Sequence, residues 1–253
     1  MAPIERSLKS VVKPLLPTSV VERWRRFRFD REQERDRGLP LQQVFERIYA
    51  TNAWATPAAG QRFSSGPGSD AAHSALHERF VVNHILAEPA ITTVVDIGCG
   101  DFQVGGRILE QLRAAGRAVH YIGCDIAANV VAYNRERHAG PGVEFHTLDI
   151  SRELPPAGDL VTIREVFQHL SNEVIMAALA NLAQRFERAI VTESVHPHPK
   201  VANIDLVSGY RTRDGFDSGV YVEQPPFNRP VLAEECYDWT PTERLRTTLV
   251  ELR

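Results

Sequence analysis

The residues best suited to chemistry follow a series of short apolar runs. Val94-Val-Asp-Ile-Gly-Cys-Gly-Asp-Phe-Gln-Val-Gly-Gly106 carries one such run into Asp96, then through Gly98 and Gly100 toward a helical stretch. Glycines at such a bend let backbone approach a ligand closely, and the start of the next helix offers free N–H groups. A dinucleotide fingerprint needs glycine at its sixth position, where this chain has Gln103, so a pyrophosphate loop is disfavoured. Asp125 closes a second run in Cys124-Asp-Ile126, and Asp149 a third in Leu148-Asp-Ile150. After a fourth comes Arg164-Glu-Val-Phe-Gln-His-Leu170. An alcohol is a poor nucleophile while it holds its proton, and histidine accepts a proton near neutral pH, which makes His169 the first candidate base. Glu165 is placed to orient that imidazole, bind a hydroxyl or hold a metal. Glu193, His196, His198 and Asp205 follow a fifth run and can line the same opening; His198, in His196-Pro-His198, reads as solvated loop.

Holding these groups at one edge requires strands and helices in alternation. The patterning predicts strands over 91–97, 119–124, 143–148, 160–163 and 188–192, with helices over 103–115 and 127–137. Ser171 is expected to cap a further helix with Ile175, Ala178, Leu179, Leu182 and Phe186 on one face. Two antiparallel strands, around 232–237 and 246–252, close the chain through a Pro-containing turn. Upstream, Leu41, Val44, Phe45 and Ile48 space a short amphipathic helix. A loop rich in Gly, Pro and Ser, 54–69, has the length of a lid. Ser69 or Asp70 then caps a helix with Leu76, Phe80, Val82, Ile85 and Leu86, ending at Pro89. His73 and His77, four apart on that helix, read as a solvated face, with no third ligand for a metal.

Asp96-Ile-Gly-Cys-Gly-Asp101 resembles motif I of the class I S-adenosylmethionine (SAM) dependent methyltransferases, and the resemblance runs over about residues 91–194 with the elements in the expected order. It implies an α/β fold, a Rossmann-like seven-stranded sheet with helices on both faces, an antiparallel C-terminal strand pair and an N-terminal helical lid extension. It also implies that Asp96, Gly98 and Gly100 bend around the cofactor, that Asp125 meets the two ribose hydroxyls and Ile126 one face of adenine, and that Asp149 and the Ile150 N–H meet the adenine edge. The Asn/Asp-Pro-Pro-Tyr/Phe motif of amino-methylating members is missing after the fourth run, which reads Ile163-Arg-Glu-Val166; Pro225-Pro-Phe227 follows the wrong element.

Two peripheral segments, Phe45-Glu-Arg-Ile-Tyr49 to Ser69 and Asn203 to Asn228, resemble bacterial methyltransferases of saccharide modification, including actinobacterial enzymes of methylmannose polysaccharide synthesis. The pattern departs through Asp214-Gly-Phe-Asp-Ser-Gly219. This resemblance implies a saccharide hydroxyl as acceptor, with Ser65, Gly66 and Ser69 of the lid over the methionine end of the cofactor. Trp54, Tyr210, Arg211, Glu193 and Asp205 would then stand on the acceptor side, with Phe216 and Phe227 as further aromatic faces. A natural-product methyltransferase with a less polar pocket is the rival enzyme, a silent SAM-binding interaction module the rival outside enzymes, and a dehydrogenase more distant. Magnesium is compatible through Glu165, Glu193 and Asp205, and nothing in the spacing demands it.

Composition narrows the class further. The chain has 253 residues, 43% of them apolar, and a formal charge of −3, as expected of one domain with a substantial core. Residues 1–37 carry +4, leaving −7 on the rest, so an extended phosphate backbone is a poor partner. The organisation predicted is a charged N-terminal arm over 1–37, Arg-rich over 22–37, a helical cap and lid over 38–90, and the methyltransferase domain over 91–253 with an acceptor-side insertion at 195–230. Cys99, Cys124 and Cys236 lie far apart and read as reduced, buried thiols. No apolar run approaches a membrane span and the start makes a poor signal peptide, so the expected compartment is the cytoplasm.

Overall fold

Runs rich in Val, Ile and Leu, separated by amphipathic stretches, build one sheet of seven strands. The computed structural model describes residues 38–253, and the predicted arm over 1–37 lies outside the described residues. In chain order the elements are α1 (Leu41–Ala50), α2 (Ala71–Ala87), β1 (Thr93–Ile97), α3 (Gln103–Ala114), β2 (His120–Asp125), α4 (Ala128–His138), β3 (Val143–Thr147), β4 (Leu160–Arg164), α5 (Asn172–Ala183), β5 (Arg188–Val195), β6 (Val231–Thr240) and β7 (Glu243–Glu251). The strands stand in the order β3-β2-β1-β4-β5-β7-β6. The pairs from β3 to β5 are parallel, and β7 runs antiparallel to both its neighbours. Because β1 lies between β2 and β4, the chain first winds to one side and then crosses to the other. Such a reversal opens a crevice at the carboxyl ends of the strands, where open α/β sheets bind ligands.

Alternation along the strands splits the core between two faces. Val95, Ile97, Val161 and Ile163 pack with Phe45 of α1 and Ile175 and Leu179 of α5. Val94, Leu160 and Ile190 turn the other way, onto Val81 and Ile85 of α2 and Ile108 and Leu112 of α3. Each such aliphatic side chain contributes about 1.5–3 kcal/mol through burial. Residues 39–253 form one compact unit in which α2 shares that core.

Two local expectations are met differently. Ser171 does cap α5, accepting from Val174 N at 3.4 Å, but Asp70 makes no side-chain cap on α2; its carbonyl instead accepts from Ser74 Oγ at 2.9 Å. β5 continues three residues beyond the predicted Thr192, because β7 keeps pairing with it as far as Val195 opposite Arg244. Glu193 and Ser194 are thereby drawn into the sheet. Cys99 and Cys124 are buried as expected, whereas Cys236 is exposed on β6, an edge strand paired only with β7. No helix of the described residues is long and apolar enough to cross a membrane.

Candidate active site

The carboxyl ends of β1 and β2 are laced together by backbone. Gly98 N and Cys99 N both donate to the Cys124 carbonyl, at 2.7 and 3.0 Å. Gly98 and Gly100 hold φ of 75° and 55°, the left-handed region that costs an L side chain about 1–2 kcal/mol. Gly100 N donates to Asp125 Oδ2 at 3.1 Å, and Ala127 N donates to Asp125 Oδ1 at 2.9 Å. A carboxylate has about four acceptor positions, so two remain. Burial pushes the Asp125 carboxyl up to about 6, against the pull of its two N–H bonds. Ile126 is half-buried beside it. Asp149, after β3, accepts from Ser151 N and Oγ at 3.1 and 2.6 Å, and the Ile150 side chain is buried in the core.

Asp96 sits differently from the sequence expectation. Tyr121 OH donates to its Oδ2 at 2.5 Å and Thr162 Oγ1 to its Oδ1 at 3.0 Å, so its carboxylate braces β1 against β2 and β4. Burial raises its pKa, opposed by those two bonds and Arg164.

The lid folds onto this floor. Ser65 N donates to Asp101 Oδ2 at 3.1 Å and Asp101 N donates back to Ser65 Oγ at 2.8 Å, with Tyr49 OH at 3.3 Å from the same hydroxyl. Gly66, at φ 94°, packs against Trp54. Ser69 is buried and its carbonyl accepts from Arg107 Nη2 at 2.7 Å. Arg107 also donates to the buried Glu78 of α2, at 2.7 Å, so lid, α2 and α3 are tied at one point. A Cβ on Gly100 would stand 2.3 Å from Ser65 Oγ. Gly100→Ala is therefore expected to loosen the lid, seen as faster hydrogen exchange at the Ser65 and Asp101 amides.

Beyond β4 the backbone turns through Glu165 at φ 52°. Its carboxylate lies 3.2 Å from His73 Nε2 and 3.1 Å from Arg164 Nη1, beneath Gly68, whose carbonyl accepts from Arg164 Nη2. Burial alone would raise the Glu165 pKa, but Arg164 and His73 outweigh it and hold the carboxyl at about 2. His169 closes the short helical turn Phe167–His169, its ring 5.2 Å from that of Trp54 and inclined at 46°. Trp54 Nε1, buried, has no hydrogen-bond partner among the described residues. Gly209 N donates to the His169 carbonyl at 2.8 Å, which brings the segment of Tyr210 and Arg211 next to the turn; the Arg211 guanidinium lies 5.7 Å from the Tyr210 ring centre. Tyr210 is exposed.

Comparison with known proteins agrees with this layout. Residues 94–188 match the family described as a methyltransferase domain. That segment runs from β1 to the start of β5 and carries every strand end just described. The fold is that of a class I, SAM-dependent methyltransferase domain. The magnesium protoporphyrin IX methyltransferase of Synechocystis, solved with bound SAM, superposes with a TM-score of 0.52 at 16% identity, covering 85% of this chain and 99% of that one. Human N-acetylserotonin methyltransferase in complex with SAM gives 0.52 at 12% identity, over 85% of this chain and 60% of its own. The [4+2]-cyclase SpnF gives 0.54 at 15% identity over 83% and 95%. At these identities the likeness is one of fold. No curated protein sequence matches the chain.

Within this fold, several predicted residues have other duties. Glu193, predicted on the acceptor side, is 2% exposed, and its two oxygens accept from Phe167 N and Gln168 N at 2.9 Å each. Being inside β5, it faces the turn that carries His169 and has no reach to solvent. Burial pushes its pKa up to about 8, against those two bonds and Arg213. Asp205 Oδ1 accepts from Asn172 N and Leu206 N at 2.7 and 2.9 Å, anchoring the start of α5 while remaining exposed. Glu165, Glu193 and Asp205 thus do not converge on one ion, and among the described residues no group of three or more acids, histidines and cysteines is arranged to hold a metal.

The widest departure from local pattern is on α2. His73 and His77 are buried rather than solvated: His77 Nδ1 pairs with Thr192 Oγ1 at 2.8 Å, which pairs in turn with Thr247 Oγ1 at 2.8 Å. Burial, then Arg164, lowers the His77 pKa to about 3, so it is neutral. Arg213 was not singled out by its motif and is fully buried. It donates to the carbonyls of Ile204, Phe167 and Leu170 at 2.8, 2.8 and 2.6 Å and to Asn172 Oδ1 at 3.0 Å. Glu193 and Arg213 therefore hold the two ends of the His169 turn. Arg213→Met leaves those buried acceptors unpaired and is expected to cost about 3 kcal/mol, read as a lower urea midpoint.

Proposed function

We propose that this chain transfers the methyl group of SAM to a hydroxyl of a saccharide, such as a mannoside precursor of a methylated polysaccharide. The observation that carries the reading is the pair formed after β4: an anionic Glu165 and the imidazole of His169 against Trp54. A hydroxyl acceptor needs a proton acceptor at that place.

The residues present fit the cofactor. Asp125 retains acceptor positions for a vicinal diol, Ile126 offers an apolar surface for adenine, and Asp149 with the Ile150 N–H stands where the adenine edge would lie. Gly98 and Gly100 bring backbone close, and Ser65, Gly66 and Ser69 close the methionine end. When bound, SAM supplies a methyl already activated by its sulfonium. What remains for the protein is alignment, exclusion of water and removal of one proton. His169 takes the acceptor's proton, and Glu165 stabilises the imidazolium so formed. Trp54, Tyr210 and Arg211 border the acceptor side, and Asp205 anchors the segment that bears Tyr210 and Arg211 to the start of α5.

The test is incubation with methyl-labelled SAM and a panel of mono- and oligosaccharides. The expected product is a sugar methyl ether; no transfer to any sugar, with transfer to apolar phenols or polyketides, overturns the acceptor assignment in favour of a natural-product methyltransferase.

A further inference from the structure

The exposed face of β6 carries two aromatic side chains that the reaction does not use. Tyr237 and Trp239 are 54% and 41% exposed, with ring centres 6.1 Å apart. Alternation puts them on the same side as Glu235, which Arg79 of α2 holds at 2.6 Å, so both look toward α2. Trp239 packs on His73 at 4.8 Å between centroids and an angle of 64°. That imidazole is the one 3.2 Å from Glu165, and its Nε2 is 3.9 Å from Glu243 Oε1. Glu243 in turn accepts from Ser194 Oγ at 2.9 Å and is 28% exposed. One buried ring thus separates Glu165 from a half-open aromatic surface, and a partly exposed carboxylate stands beside that ring.

Resting on the saccharide reading above, we propose that Trp239 and Tyr237 form a second acceptor subsite, which binds the sugar units beyond the one being methylated. Indole and phenol faces suit the C–H face of a pyranose, and Glu243 supplies acceptors for its hydroxyls. The other acids of β6 each face an arginine: Glu235 faces Arg79 on the aromatic side, while on the opposite side Asp238 faces Arg244 at 2.5 Å and Glu234 faces Arg246 at 2.7 Å, a guanidinium it shares with Glu223. The patch therefore has little net charge to recruit an ionic ligand, and its two aromatics, set among ion pairs, are too few for a broad apolar protein interface. A neutral, polyhydroxylated chain matches its composition and its position one ring, His73, away from Glu165.

The experiment measures kcat/KM for manno-oligosaccharides of one to six units with wild type, Trp239→Ala, Trp239→Phe and Tyr237→Ala, with melting temperature and SAM affinity recorded for each. Wild type should gain with chain length. In Trp239→Ala the ratio of long to short acceptor should fall about tenfold, through KM, with SAM affinity kept, and Trp239→Phe should restore most of it. If long oligosaccharides are methylated but Trp239→Ala leaves the ratio as in wild type, the subsite is wrong and the saccharide reading stands. A loss shared equally by all acceptors, with a lowered melting temperature, assigns Trp239 to packing on His73 and overturns the subsite. If wild type methylates no sugar at all, the saccharide reading fails and this proposal fails with it.

Discussion

Asp125→Ala is expected to raise the dissociation constant for SAM about a hundredfold or more, measured by calorimetry with the full chain. The carboxylate at the end of β2 gives one acceptor position on each oxygen to Gly100 N and Ala127 N, and keeps one on each. A vicinal diol can take both. Hydrogen bonds to a charged group contribute about 1.5–3 kcal/mol each, and two of them correspond to roughly two to four decades of affinity before compensation by water. The backbone bonds also matter, since alanine leaves the Gly100 and Ala127 amides without their acceptor. Asp149→Ala should cost less, because Ser151 already holds one oxygen of that carboxylate.

The same residue sets a pH dependence. Burial, with Asp96 and Asp101 adding to it, places the Asp125 pKa at about 6 even though two N–H bonds pull the other way. In the proposed cofactor site the diol takes the anionic form, so SAM affinity should be level above pH 7 and fall about tenfold per unit below about pH 6. For the unligated protein the sign is reversed. A carboxyl whose pKa is higher folded than unfolded is most favourable when protonated, so its contribution to stability declines as pH rises from about 4 through about 6. Asp125→Ala should remove both dependences together.

The parts of the fold written in local pattern were legible from the chain alone. The five strands ending at Ile97, Asp125, Thr147, Arg164 and Val195 are short apolar runs with a polar stop, and the helices between them repeat at 3.6. Their order then fixes where the crevice opens. What local pattern does not carry is the neighbour across the sheet. His73 and His77 have the spacing of an exposed helical stripe, and only the arrival of Glu165 and Thr192, 92 and 115 residues later, makes that stripe an interior one. Glu193 looks like a loop acid until β7, from the far end of the chain, extends β5 past it. Arg213 has no motif, because its partners are carbonyls and every residue has one. In each case long-range pairing buries a polar residue whose local pattern carries no sign of it. These residues cluster around the His169 turn, where a polar interior is needed to hold polar chemistry in place.

His169→Ala is expected to lower kcat by about a hundredfold to ten-thousandfold while leaving SAM affinity within about twofold, since a positioned general base contributes about that much and the residue lies on the acceptor side of the cofactor cleft. The choice of His169 over Glu165 as the base follows from proton affinity. Glu165 is held at about 2 by Arg164 and His73, despite the opposing effect of burial, and a carboxylate that weakly basic cannot draw a proton from an alcohol at neutral pH. Its charge still acts, because an imidazolium at His169 is attracted to an anion that the pocket already keeps ionised. Glu165→Gln removes that attraction and one partner of the buried His73, so it should slow turnover about tenfold and move the acid limb of the kcat profile to lower pH, the imidazolium having lost its stabilising anion. If instead Glu165→Gln abolishes turnover and His169→Ala barely changes it, the carboxylate is the group that meets the acceptor, and the turn held by Glu193 and Arg213 serves only to shape the pocket.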